Sequence, residues 1–327
     1  MRRRLVVVFV GAFASLLSIT SYSQVNPAQL PNPPAREPQW AFPVIQQQLP
    51  AEPAEPKKIP GSSKAYTPAE IDNLTAPPDW FPDEHPPAPA IVHKGRPTAL
   101  ACGSCHLMNG EGHPESAGFA GLPAGYIVQQ MDDFKTAVRK DPAGRMNAFA
   151  KDMTDDEVRQ AAAWFASLKP RQFTTVKEAA MVPKTIVGQG RMRFVDPKGG
   201  MEPIGNRIIT VPDDQDRARS RDPHSGFTAY VPPGSIAKGR TLAQTGGNGK
   251  TVACGICHGD TMRGLGNVPR LAGLHPIYIA RQLHLFKDGS RNGIDAQLMK
   301  KPVAQLTDDD ILALSAYLAS LNPAPGS

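Results

Sequence analysis

The stretch that decides the fold is Cys254-Gly-Ile-Cys-His, and an earlier stretch, Cys102-Gly-Ser-Cys-His, has the same form. Both read C-x-x-C-H, the pattern typical of c-type haem attachment. Two thiols separated by two residues can reach the two vinyl groups on one edge of a single haem. The histidine that follows then lies under the iron and binds it from the proximal side.

The two stretches contain all four cysteines of the chain. A single C-x-x-C pair also occurs in disulfides, zinc half-sites and redox pairs. None of these alternatives explains a histidine after both pairs, or the matched methionines described below. We therefore predict two covalently bound haems, held by these cysteines and proximal histidines: Cys102, Cys105, His106, Cys254, Cys257 and His258.

The N-terminus has the parts of a secretory signal peptide. Residues 2–4 are arginines, residues 5–19 are almost entirely apolar, and small side chains follow at Ser21 and Ser23. The apolar run is shorter than the ~20 residues that a membrane span needs. We predict a cleaved signal peptide at residues 1–23, with an uncleaved membrane anchor as the alternative.

Charge gives no support for a nucleic-acid or membrane partner. The formal net charge is +6, and removal of the three signal-peptide arginines leaves +3. The propionate carboxylates of two haems would bring the mature holoprotein close to neutral. We therefore expect neither nucleic-acid binding nor membrane binding on the basis of charge.

Residues 24–87 differ from the rest of the chain in their proline content. Half of the 34 prolines lie between residues 26 and 89. Proline fixes φ and removes a backbone donor, so long helices and central strands are excluded there. We predict a proline-rich arm that is extended and largely disordered. Adjacent aromatics in the stretch Asp79-Trp-Phe-Pro favour docking on a haem domain or a partner, with exposure as the alternative.

An internal repeat relates the two motifs. A shift of 152 residues superposes the first C-x-x-C-H on the second and aligns Tyr126 with Tyr278. One inserted residue changes the shift to 153, which aligns Met146 with Met299. The chain therefore carries one haem module twice.

Each module has the patterns of α-helices. Apolar residues spaced by three or four predict one helix over 126–139 and its counterpart over 278–287. Capping boxes at Thr154 and Thr307 predict the start of a final helix in each module. The second module has an additional helix at about 235–244, before its haem motif.

The predicted fold class is all-α, with tandem haem modules at residues 88–170 and 231–323. Residues 171–230 are too long for a simple connection and contain short β-like runs broken by Gly and Pro. We expect this connector to be mostly irregular and to wrap over one or both modules. Pro97 interrupts the region of module one that corresponds to the first helix of module two.

The sixth iron position decides the chemistry of each haem. A methionine there favours electron transfer, whereas an open position permits ligand binding or peroxide chemistry. Met146 lies 40 residues after His106, and Met299 lies 41 residues after His258. Each methionine is expected on a loop before the capped final helix, where the chain can return to the distal face. We predict both as axial ligands.

Other residues fit the sixth position less well. Met108 and Met262 follow their histidines too closely in sequence to cross the haem plane. His93 or His85 is the alternative to Met146. The remaining histidines are expected on the surface or in loops: His113, His224, His275 and His284.

Two further features concern the haem surroundings. Tyr126 and Tyr278 are candidates for hydrogen bonds to haem propionates, with ordinary aromatic packing as the alternative. The carbonyl of Pro269 can accept the free ring N–H of His258, which would fix the tautomer of that histidine. Module one has Ala117 at this position, so we expect its turn to differ.

These residues resemble class I cytochromes c and, as a pair, soluble dihaem cytochromes c. The resemblance covers about 88–170 and 234–323. It rests on C-x-x-C-H, on Pro-x-Leu-Ala-Gly from Pro269, and on the tyrosine-led helix, Met299 and the Thr-Asp-Asp helix start. The proline-rich arm and the long connector lie outside it.

The resemblance implies an all-α haem fold and an electron-shuttling role in the periplasm, where haem is attached to such motifs. Carried over to this sequence, it implies thioether links at the four motif cysteines. It also implies one haem iron bound by His106 and Met146, and a second bound by His258 and Met299.

We predict single-electron transfer between redox proteins rather than an enzymatic reaction. A dihaem subunit docked on a periplasmic dehydrogenase is the alternative. A dihaem peroxidase is a weaker alternative. Peroxide chemistry needs an open sixth position at one iron, whereas both modules have a methionine at the equivalent place. The expected partners are a dehydrogenase, a membrane quinol-oxidising complex or a terminal oxidase. No small-molecule substrate is expected.

Overall fold

A computed structural model describes residues 32–45 and 53–324, so the predicted signal peptide at 1–23 lies outside the described residues. The helices are α1 (Pro68–Ile71), α2 (Ala90–His93), α3 (Gly103–His106), α4 (Ala124–Lys135), α5 (Arg145–Asp152), α6 (Asp155–Ser167), α7 (Gln215–Arg219), α8 (Ser235–Thr245), α9 (Gly255–His258), α10 (Pro276–Lys287), α11 (Gln297–Val303) and α12 (Asp308–Ser320). The strands are β1 (Thr174–Glu178), β2 (Met181–Pro183), β3 (Thr185–Val187), β4 (Arg193–Val195), β5 (Met201–Pro203), β6 (Ile209–Pro212) and β7 (Phe227–Val231). Over the described ranges, no helix is both long and apolar enough to cross a bilayer.

The second module is built on a close crossing of α8 and α12. A Cβ added at Gly239 would lie 1.9 Å from the carbonyl oxygen of Ala313. Only glycine allows two helix backbones to approach so closely. The prediction of an early helix is confirmed, since α8 ends where Gly246 takes a left-handed φ of 72°. Helix α10 also packs on α12.

The first module has α4 packed on α5 and α6, but its first helix, α2, is only one turn long. Both predicted capping boxes are present, at Thr154 and at Thr307. The helix predicted over 126–139 ends early, at Lys135, because Ala137 takes a left-handed φ of 60°. Val138, expected on the apolar helix face, is therefore 41% exposed.

The arm is packed rather than largely disordered over its described residues. Trp80 is only 2% exposed, and its Nε1 donates to the carbonyl oxygen of Ser220 at 2.7 Å. Its ring meets Tyr66 edge-on at 4.7 Å, and Ile59 and Ile71 complete a small core. The Asp79-Trp-Phe-Pro stretch is therefore docked, but its aromatic rings contact the connector, at Ser220 and His224, rather than a haem domain or a partner.

The prediction of disorder was wrong here because proline excludes long helices but not side-chain burial. An earlier arm stretch, Trp40-Ala-Phe, joins the core of the second module. The segment before α2 covers the final helix of the first module, where Trp164 Nε1 donates to the Pro86 carbonyl at 2.9 Å.

The connector contains three small sheets, so it is more regular than expected. Strand β7 pairs with β1 in parallel and with β6 antiparallel, while β2 pairs with β5 and β3 with β4, both antiparallel. Strand β1 packs on α12 of the second module. Phe173 and Phe227 pack with Leu107 of the first module. The connector therefore wraps over both modules, as predicted.

The two modules meet through residues that the repeat relates. Arg139 and Arg291, equivalent under the shift of 152, form an antiparallel bridge with each other. The Lys140 amide donates to the Ser290 carbonyl at 2.7 Å. Contacts between equivalent residues are what an approximate two-fold relation produces. The equivalent faces of α4 and α10 are thereby turned towards each other.

Candidate haem sites

Both motif histidines are oriented by a backbone carbonyl. His106 Nδ1 lies 2.8 Å from the Ala117 carbonyl oxygen, and His258 Nδ1 lies 2.8 Å from that of Pro269. A carbonyl can only accept, so Nδ1 donates and Nε2 keeps its lone pair for a metal. The Pro269 prediction is confirmed. The expected difference at Ala117 was wrong, because the acceptor belongs to the backbone rather than the side chain.

Burial keeps both imidazoles in the ligating, neutral form. It lowers the pKa of His106 to about 4, although the hydrogen bond to Ala117 acts in the opposite direction. Burial also lowers the pKa of His258. At neutral pH each ring therefore offers an unprotonated nitrogen. The four cysteines all lie within the described residues and form no disulfide there, which fits thioether links to haem.

A cavity in the first module brings three predicted haem residues together. Cys105, His106 and Met146 all line it, and it contains about 1330 Å³ free of protein atoms, including its open mouth. The cavity therefore brings an attachment cysteine, the proximal histidine and the predicted methionine ligand of one haem to a common space.

The charge of the cavity wall also fits a haem. Six Lys or Arg residues and two acidic residues line it. Buried guanidinium groups need an anion or hydrogen-bond acceptors, and the propionates of a haem are anions. The basic residues are Arg139, Lys140, Arg145, Arg191, Arg221 and Arg281, and the acidic residues are Glu115 and Asp141.

The two predicted methionine ligands lie in equivalent places. Met146 is in the first turn of α5 and Met299 is in α11, each on the short helix before the capped final helix. Both side chains are half-buried, and each packs against the core of its own module. The expectation of a loop was wrong, because these short helices begin without a side-chain cap that the sequence would reveal. Met108 and Met262 are buried in the cores.

The two histidines considered as alternatives to Met146 have other surroundings. His85 Nε2 is 3.2 Å from Asp79 Oδ1, and its ring packs edge-on against Trp164. His93 is exposed at the end of α2. The described residues that line the cavity beside His106 include neither. Of the histidines expected on the surface or in loops, His275 is instead buried, with Nδ1 2.7 Å from Thr174 Oγ1.

A polar network joins the modules beside this cavity. Arg291 Nη2 donates to Tyr126 Oη and to Gln130 Oε1, both at 2.8 Å. Arg139 donates to Gln130 Oε1 at 2.7 Å and to Gln282 Oε1 at 2.8 Å. The network therefore joins polar groups of both modules, and Gln130, Arg139 and Gln282 also line the cavity of His106. A propionate contact of the two tyrosines stays a prediction.

Several cavity residues carry no signal in the local sequence. Phe119 stacks on the His106 ring, with centroids 4.0 Å apart. Arg281 enters from the second module and Arg191 from the connector. The shift of 152 residues aligns Arg139 with Arg291, so the repeat did indicate their equivalence. No repeat or motif pointed to the other residues.

Comparisons with known proteins match both modules. The family model described as cytochrome c matches residues 236–322. The model described as cytochrome C oxidase, cbb3-type, subunit III, matches residues 98–165. Cytochrome c-554(548) of Halomonas halodenitrificans is 35% identical over 75 residues, which are 23% of this chain and 90% of that protein.

Longer relatives align over most of the chain. The thiosulfate dehydrogenase electron acceptor of Thiomonas intermedia is 28% identical over 239 residues, 71% of this chain and 84% of that protein. Cytochrome c4 of Pseudomonas aeruginosa is 26% identical over 232 residues, 70% of this chain and 87% of that protein. With two C-x-x-C-H motifs in two matching domains, the chain belongs to the class I cytochrome c family, as a dihaem electron-transfer cytochrome with two covalently bound c-type haems.

Proposed function

We propose that the protein is a periplasmic electron carrier whose two haem irons are ligated by His106 with Met146 and by His258 with Met299. The observation that carries this proposal is the cavity that His106 and Met146 share. The equivalent position of Met299, on the short helix before α12, supports the same ligation in the second domain.

The protein's residues supply a rigid setting for the one-electron chemistry that the haems provide when bound. The carbonyls of Ala117 and Pro269 hold the imidazoles and increase their basicity. The apolar cores behind them exclude water from much of each site. Rigid ligation by histidine and methionine favours electron transfer over binding of an exogenous ligand.

We propose that the chain is a carrier rather than an enzyme. Peroxide chemistry requires an iron with an open sixth position. Both domains have a methionine at the equivalent place, so neither is distinguished as a substrate-binding haem. We assign the cytochrome domains to residues 88–170 and 231–323, the arm to 24–87 and the connector to 171–230.

A second candidate concerns the electron donor. Two relatives are named thiosulfate dehydrogenase electron acceptors, at 28% and 25% identity. We propose a periplasmic dehydrogenase as the donor, with a quinol-oxidising complex as a further candidate and a terminal oxidase as acceptor. The signal-peptide pattern at residues 1–23 supports the periplasmic location.

The ligand assignment predicts the optical spectrum of the ferric protein. A methionine bound to ferric haem gives a weak charge-transfer band in the red. We expect Met146→Ala and Met299→Ala each to remove about half of this band, because each deletes one of two equivalent bonds. Met201→Ala, a change at an exposed connector methionine, is the control and should leave the band intact.

Other outcomes would contradict the proposal. If the wild-type protein lacks the band, or shows it for one haem only, the carrier function loses its structural basis. Exogenous ligand binding at the remaining haem would then favour peroxidase chemistry. If either variant retains the full band, the methionine assigned in that domain is wrong.

A further inference from the structure

The connector places one arginine in the haem cavity of the first domain. Strands β3 and β4 form a hairpin, and the turn between them contains Gly190 at φ 68° and Arg191 at φ 63°. A left-handed conformation is ordinary for glycine but uncommon and costly for arginine. Strained residues of this kind cluster at functional sites. The turn is anchored to the arm by a hydrogen bond from Gln189 to Asp72.

Arg191 is buried and incompletely bonded. It is 6% exposed and lines the cavity together with Cys105 and His106. Among the described residues, none accepts a hydrogen bond from its Nε or Nη2. A buried guanidinium without acceptors is unfavourable, so these donors point to an anionic group in the cavity.

The neighbouring positive charges of Arg145 and Arg281 increase the need for such an anion, and the carboxylates of Asp141 and Glu115 offset them in part. Burial, followed by the positive charges of Arg145 and Arg281, lowers the pKa of Arg191 to about 10. The side chain therefore remains charged at neutral pH. Arg281 already donates to Glu115, at 2.9 Å to its carbonyl oxygen and 3.2 Å to Oε2.

We propose that Arg191 binds a propionate of the haem attached at Cys102 and Cys105, and that its positive charge raises the midpoint potential of this haem. The inference rests on the proposed electron-transfer function and gives the connector a part in it. The connector lies outside both ranges that match cytochrome family models, 98–165 and 236–322. Because Arg191 lines the cavity of His106, we expect the effect on the first haem alone.

The test is a potentiometric titration of the full-length holoprotein that resolves its two one-electron steps. In Arg191→Gln we expect the midpoint potential of one haem to fall by about 59 mV. At a fixed applied potential, this shift lowers the ferrous-to-ferric ratio of that haem about tenfold. One buried charge near the iron has an effect of this order at an effective dielectric constant of about 20. The displaced step should be the one that Met146→Ala also displaces.

Two further variants separate charge from backbone strain. Arg191→Gly removes the charge and suits the left-handed φ, so it should lower the same potential without a loss of folding. Lys198→Gln removes an exposed charge from the same connector and should leave both potentials unchanged.

The inference is overturned if neither step moves in Arg191→Gln and Arg191→Gly, or if both steps move equally. It is also overturned if Lys198→Gln has the same effect as the Arg191 variants. In these cases an intact charge-transfer band would show that the proposed function still stands. Absence of that band from the wild-type protein would instead overturn the ligand assignment, whatever the Arg191 variants do.

Discussion

Gly239→Ala should destabilise the second cytochrome domain severely. The added Cβ would lie 1.9 Å from the carbonyl oxygen and 2.6 Å from the carbonyl carbon of Ala313. Both atoms belong to the backbone of α12, so no rotamer change can relieve the clash and the helices must separate. Overpacking typically costs about 1–3 kcal/mol, and we expect at least the upper end of that range. Thermal unfolding of the holoprotein, followed by circular dichroism, measures the loss.

The direction of this effect is diagnostic, because alanine is otherwise the better helix former. Within a helix, glycine is about 1 kcal/mol less favourable than alanine, so without the close crossing Gly239→Ala would stabilise α8. Gln244→Ala, at an exposed position of the same helix, is the control and should be neutral or slightly stabilising. A Gly239→Ala variant as stable as this control would mean that α8 and α12 do not cross as described.

Trp80→Ala should release the arm from the rest of the protein. Trp80 forms the centre of the small core that the arm makes with Tyr66, Ile59 and Ile71. Truncation of a buried tryptophan to alanine costs about 3–5 kcal/mol. We expect residues 53–87 to become sensitive to limited proteolysis under native conditions, while both haems remain attached. Mass spectrometry of the digest locates the cuts.

Trp80→Phe separates ring packing from the hydrogen bond. The phenyl ring keeps much of the apolar contact but leaves the carbonyl oxygen of Ser220 without the indole donor. A buried acceptor without its partner costs about 1–3 kcal/mol, so the resistance of the arm to proteolysis should fall only in part. If the arm is digested as readily in the wild-type protein as in Trp80→Ala, the arm is not packed and its initial interpretation as a disordered segment is correct.

The covalent chemistry and the helix starts were readable from the sequence because they depend on neighbouring residues. Two cysteines and a histidine within five positions specify haem attachment. A threonine followed three residues later by a carboxylate caps a helix, and both predicted caps are present. The repeat then transferred each assignment from one domain to the other, including the equivalent places of Met146 and Met299.

The packing of the arm could not be predicted, because it depends on partners distant in sequence. Trp80 finds its hydrogen-bond acceptor 140 residues away, at Ser220. Proline content limits which secondary structure can form, but it does not determine whether aromatic side chains are buried. The amount of β-sheet in the connector was underestimated for a related reason. Strand β1 pairs with β7 across more than 50 residues, and the short strands of the connector have little sequence pattern of their own.

The sequence by itself therefore determined the cofactor and the duplication of the domain, and it predicts the attachment residues and the proximal ligands. The tertiary structure alone decided what surrounds the first haem. Arg191 and Arg281 reach the cavity of His106 from the connector and from the other domain, through folding of remote segments. The physical reason is that ligation is set by covalent spacing along the chain. The electrostatic environment is instead the sum of charges brought together through space, and the local sequence records none of their distances.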